Sequence, residues 1–139
     1  MALSICLSAS GCVKRDDLVV WTTQVDSPGG AWVASADTVQ NGGFGSGGIE
    51  TTVYLKRRSD HLPPVAVLGF SCAGPVPHPY VLDNVANRGG TINLKMQWSD
   101  PLHLHVTYSG DPSINLETIK LQDVSITLQR ASGTEAAGH

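Results

Sequence analysis

His103 and His105 are the residues of this chain whose type and spacing speak most directly of chemistry. On a strand, positions i and i+2 share a face. Two imidazoles would then stand side by side and offer nitrogen ligands to zinc or copper. A metal site needs three or four ligands, and His61 and His78, both in loop-like stretches, are where a third would come from. Without one, the pair is two solvated histidines on the wet face of a hairpin. Three other features suggest chemistry and fall short of it. Gly42-Gly-Phe-Gly-Ser-Gly-Gly48 lacks the Lys-Ser/Thr of a phosphate-binding loop, and a strand follows where a helix belongs. It reads as a connection with Phe44 offered as a contact point. Ser71-Cys72 lacks a nucleophile elbow. Lys56-Arg57-Arg58 reads as a solvated turn with a minor capacity to meet acidic lipid or polysaccharide. The carboxylates are scattered with no paired spacing. The sequence therefore points away from an enzyme, and no cofactor is expected.

The amino terminus carries a different signal. Met1 to Cys12 contains no charged residue and passes from an apolar run, ending at Leu7, into Ala9-Ser10-Gly11-Cys12. This is similar to the end of a bacterial lipoprotein signal peptide, with Cys12 as the acylated residue. Small residues let an extended chain enter a peptidase groove, and the thiol takes the lipid. No Lys or Arg precedes the run, and the run is short for a signal peptide. Residues 1–11 are thus expected to be a remnant signal peptide and 12–17 a tether. Val13 follows the Cys where Asp would favour inner-membrane retention. The expected location is the outer membrane, facing periplasm or surface. Acylation would consume Cys12 and cleavage would remove Cys6, leaving Cys72 in an apolar context as a small buried hydrophobe. If no lipid is added, Cys12–Cys72 is the alternative pairing.

The 139 residues suit one domain. Charged residues make up 15%, too few for a coiled coil or a highly charged disordered chain. The net charge of −3 gives no basic field for nucleic acid. Later apolar stretches reach about five residues, against the roughly 20 of a membrane-spanning helix.

The elements that must position these residues are strands. Period-two alternation is clearest in Ile92, Leu94, Met96 and Trp98 against Asn93, Lys95 and Gln97. Ser99-Asp100-Pro101 then turns the chain, and Leu102, Leu104, Val106 and Tyr108 line the return strand, with His103, His105 and Thr107 on its wet face. Leu18–Gln24 and Ala31–Ala36 flank Asp26-Ser-Pro-Gly-Gly30, where Pro28 presets a turn and the glycines supply positive φ. Glu50–Lys56 and Val65–Phe70 read as two further strands. The phase of Ile114, Leu116 and then Ile119, Leu121 slips, which predicts a bulge or turn. One short helical turn is expected near 80–87. Residues 18–130 should form a single all-β domain, an antiparallel β-sandwich or partly open barrel of seven or eight short strands, with 131–139 as a tail. The expected core is Val20, Trp32, Val53, Leu55, Val67, Phe70, Ile92, Leu94, Trp98, Leu104, Val106, Ile126 and Leu128.

Trp21…Ser27-Pro28-Gly29-Gly30…Trp32-Val33-Ala34, then Gly43-Phe44-Gly45, then Glu50-Thr51-Thr52-Val53-Tyr54-Leu55 resembles a group of small uncharacterised bacterial envelope lipoproteins. In that group a Ser-Pro-Asp-Gly hairpin precedes a Gly-rich loop and a Thr-x-Val-x-Leu strand. Trp98-Ser99-Asp100…Leu104-x-Val106-x-Tyr108 is similar too. Gly29 departs from the pattern, which has Asp there. These motifs are turns and strand faces, so the resemblance implies a fold and a compartment and assigns no catalytic role. The expectation is a monomeric, non-enzymatic envelope protein, attached to the membrane by lipid and meeting a protein partner. The second expectation is a periplasmic metal-binding domain using His103 and His105.

Overall fold

The computed structural model describes residues 18–40, 48–73 and 90–131. Nine strands are present among them: β1 Leu18–Asp26, β2 Trp32–Gln40, β3 Gly48–Arg57, β4 Val65–Ala73, β5 Lys95–Asp100, β6 His103–Tyr108, β7 Ser113–Glu117, β8 Lys120–Leu121 and β9 Val124–Arg130. They form two sheets, ordered β1-β2-β3-β4-β7 and β5-β6-β9-β8. The expected sandwich of short strands is what the chain adopts, with one more strand than the upper expectation. The helical turn near 80–87 and the tail beyond 131 lie outside the described residues, as do Cys12 and its tether, the side chain of Cys72, and Phe44 with its loop.

The β1–β2 hairpin follows from its turn residues. Gly30 N–H donates to the Ser27 carbonyl at 2.7 Å. Gly29 sits at φ 87 and Gly30 at φ 80, so Pro28 and Gly29 occupy the two central positions of a type II turn. The buried Ser27 hydroxyl accepts from the Trp32 amide at 3.1 Å and fixes the entry to β2. Along β2, Trp32, Ala34, Ala36 and Thr38 face inward, and Val33, Ser35, Asp37 and Val39 face out. Along β3, Ile49, Thr51, Val53 and Leu55 do the same. Small Ala34 and Ala36 opposite larger Leu55 and Val53 keep the layer even.

The two sheets share one hydrophobic cluster. Trp21, Val53, Leu55, Val67, Leu68 and Phe70 come from the first sheet, and Leu104, Val106, Val124 and Ile126 from the second. Each fully buried side chain of this size stabilises by about 1.5–3 kcal/mol. Trp98 and Leu128, expected in the core, are partly buried and pack against its margin. The sequence alternation missed Trp21, Ala34, Ala36, Ile49, Leu68 and Val124, which are also buried. Bulges explain two of these. Val20 is the extra residue between Val19 and Trp21, and Val67 the extra residue opposite the Val53–Tyr54 step. A bulge turns neighbouring side chains to the same side, so Val20 and Trp21, and Val67 and Leu68, are buried as pairs.

Three expectations need correction. Thr91 to Trp98 is not one strand. Gly90–Ile92 is a 3-10 turn, Asn93 takes φ 51, and β5 starts only at Lys95. Ile92 and Leu94 are still buried, because Asn tolerates the left-handed region and its kink brings both inward. Gly90 explains why the chain turns here. It has φ +67, and a Cβ on it would stand 2.7 Å from Thr38 Oγ1 and 3.1 Å from the Trp21 ring. Secondly, the sandwich is not wholly antiparallel. After β6 the chain crosses to the first sheet as β7 and returns, so β9 lies parallel to β6. Thirdly, the slip after Leu116 is a change of sheet: β7 pairs with β4, and β8 pairs with β9.

Candidate functional site

The β5–β6 hairpin positions the two histidines. Lys95, Met96, Gln97 and Trp98 pair with Thr107, Val106, His105 and Leu104, and Asp100 pairs with His103. Ser99 is therefore a bulge, and the two-residue turn is Pro101-Leu102 rather than Ser99-Asp100-Pro101. Leu104 and Val106 are completely buried, which holds the alternate residues His103 and His105 on the outer face. Their shared face was legible in the sequence. The bulge was not, and it governs what the rings meet.

Asp100 accepts the Leu102 amide at 2.8 Å, an Asx-type turn that closes the hairpin. Its carboxylate also meets His103 Nδ1 at 2.9 Å and 3.0 Å. A carboxylate only accepts, so His103 donates from Nδ1, and Asp100 thereby sets the orientation of the ring. The Leu102 amide, with the His103 hydrogen bond second, holds the Asp100 carboxyl below its ordinary range. His105 Nε2 lies 3.1 Å from Ser99 Oγ. Both rings thus converge on the bulge from one side of β6, one through Asp100 and the other through Ser99.

This is not a serine–histidine–aspartate relay. The carboxylate orients His103, while the hydroxyl belongs to His105. Among the described residues, no group of three His, Cys, Asp or Glu side chains is placed to hold a metal ion. His61 lies in the β3–β4 loop, and His78 lies outside the described residues.

The basic cluster has a structural occupation. Lys56 Nζ donates to the Asp60 carbonyl at 2.7 Å. Arg57 lies 4.9 Å over the Trp32 ring and donates to Gln122 Oε1 at 2.6 Å. Arg58 pairs with Asp26 at 2.8 Å and donates to the Gly30 carbonyl. Lys56 braces the β3–β4 turn from within, and Arg57 and Arg58 tie it to its neighbours. Phe44 and Cys12 are not among the described residues.

Sequence inspection passed over two polar groups. Thr38 and Thr51 share a hydrogen bond of 2.7 Å inside the core. Asp37, on the outer face of β2, is raised in pKa by burial, and it contributes in turn to raising Tyr54, whose own burial acts first. Single threonines and acids within strands carry no spacing signal, so neither was detectable without the sheet register. Comparison with known protein families, with curated proteins and with solved structures finds no match for this chain.

Proposed function

We propose that this chain is the folded domain of a bacterial envelope lipoprotein, attached to the outer membrane through a lipid on Cys12 and acting by contact with a protein partner. The observation that carries the proposal is Ala9-Ser10-Gly11-Cys12 at the end of an uncharged run. The domain's position along the chain supports it. β1 begins at Leu18, six residues after Cys12, a reach of about 20 Å when extended. An acyl chain on Cys12 would keep the sandwich next to the bilayer surface, with Lys14-Arg15 close to the headgroups. No helix among the described residues is long and apolar enough to cross a membrane.

The function is non-enzymatic in this proposal. Its support is the use made of the polar side chains: Lys56, Arg57 and Arg58 brace a turn, and Ser99 and Asp100 serve different histidines. Mass spectrometry of the protein from its native membranes tests the anchor. A diacylglyceryl mass on Cys12, with Cys12→Ser moving the protein to the soluble fraction, is the expected result. An intact Met1 with an unmodified Cys12 refutes it.

A further inference from the structure

We infer that His103 and His105 form a two-nitrogen chelate for a divalent d-block cation on the outer face of β6, with Asp100 orienting the first ring. The inference is independent of the lipid anchor. It rests on three observations. The rings stand at i and i+2 of a strand whose intervening residue, Leu104, is completely buried, so their shared orientation is fixed by the core. His103 donates a hydrogen bond from Nδ1 to Asp100, which leaves Nε2 as the ring nitrogen available to an ion. A carboxylate behind the ring is the arrangement that metal-bound imidazoles use. His105 is drawn to the same side through Ser99, so the two rings lean towards one edge of the hairpin.

Charge favours that edge. The Asp100 carboxylate lies beside His103. The cations on this face are displaced: Lys95 pairs with Thr107, one row beyond His105, and Lys120 is separated from His103 by Ser125. Each imidazole would sit about 2.0–2.1 Å from the ion. With no third protein ligand grouped there among the described residues, water fills the remaining positions. Such a site is open, exchanges readily and follows the order Cu²⁺ above Ni²⁺, with Zn²⁺ below Cu²⁺.

Zn²⁺ is the probe, because it is diamagnetic and each ring can be followed separately from any thiol. The full chain, ¹⁵N-labelled on histidine, is titrated with Zn²⁺ near neutral pH. The His103 and His105 ring nitrogens are expected to shift together as one saturable site. His103→Gln should abolish the His105 shift at one equivalent, and His105→Gln the reverse. Asp100→Asn should weaken binding about 10–100-fold. Amide spectra of the variants report whether the hairpin survives, and His105→Gln does not touch the Asp100 turn. Rings that shift independently, that stay unmoved at one equivalent, or that bind equally well in a folded Asp100→Asn variant overturn the inference.

Discussion

Thr38 and Thr51 place two hydroxyls in an apolar interior, and each satisfies the other. A buried hydroxyl without a partner costs about 1–3 kcal/mol, whereas removing both partners is nearly neutral. Thr38→Val should therefore destabilise by about that amount, and Thr38→Val with Thr51→Val should recover most of it. Urea unfolding of the four proteins in the cycle checks this, and additive losses would contradict the pairing. Asp37 makes a pH prediction. Burial raises its pKa above the ordinary 3.8, so the folded state holds the proton more tightly than the unfolded chain does. Its favourable contribution is complete below that ordinary value and is lost as pH rises through the raised folded value. Asp37→Asn should therefore be more stable than the parent at pH 7, with the gap narrowing towards pH 3. Denaturation midpoints at the two pH values measure it, and a less stable variant at pH 7 would show that Asp37 has a favourable partner when charged.

The β5–β6 hairpin shows how far strand patterns can be read. Leu104 and Val106 alternate with His103 and His105 in the sequence, and the hairpin obeys that alternation. Ser99 gives no such warning. Its bulge, with the turn moved to Pro101-Leu102, follows from the Asp100 carboxylate capturing the Leu102 amide. The hairpin is also tied to the opposite sheet. Trp98 Nε1–H donates to the Val25 carbonyl at 3.2 Å, joining β5 to β1. Trp98→Phe keeps the apolar ring and removes that donor. A loss of about 1 kcal/mol is expected, with the β5 and β1 amides near Trp98 and Val25 showing the largest shifts. Stability within error of the parent would mean the bond is replaced by water at no cost.

Across the folded domain, a single apolar cluster holds both sheets together. Val106 lies in it with no exposed surface and pairs with Met96 on one side and Leu128 on the other. Val106→Asp places a charge there without a partner, and the loss should exceed about 4 kcal/mol, enough to unfold a domain of this size. Loss of amide dispersion and a collapsed thermal transition are the expected signs. A folded variant would show that the second sheet can separate from the first.

Most of the strands, most of the faces they bury and the turn at Ser27–Gly30 were legible in the chain alone, because alternation and turn chemistry act between near neighbours. Most of the core followed from the same patterns: Val53, Leu55, Leu104 and Val106 are where period two puts them. Three features emerge first in the folded domain: the parallel β6–β9 pairing, the left-handed Asn93 that ends the apparent Thr91–Trp98 strand, and the Ser99 bulge. The first two depend on contacts between segments distant in the chain, and the bulge on the Asp100–Leu102 bond, which no strand alternation announces. Trp21 and Thr38 crowd Gly90 into its turn, and the crossing of β7 to the other sheet fixes the direction of β9. The two histidines belong to both levels: their shared face is local, and which ring Asp100 holds was settled by the register of the hairpin.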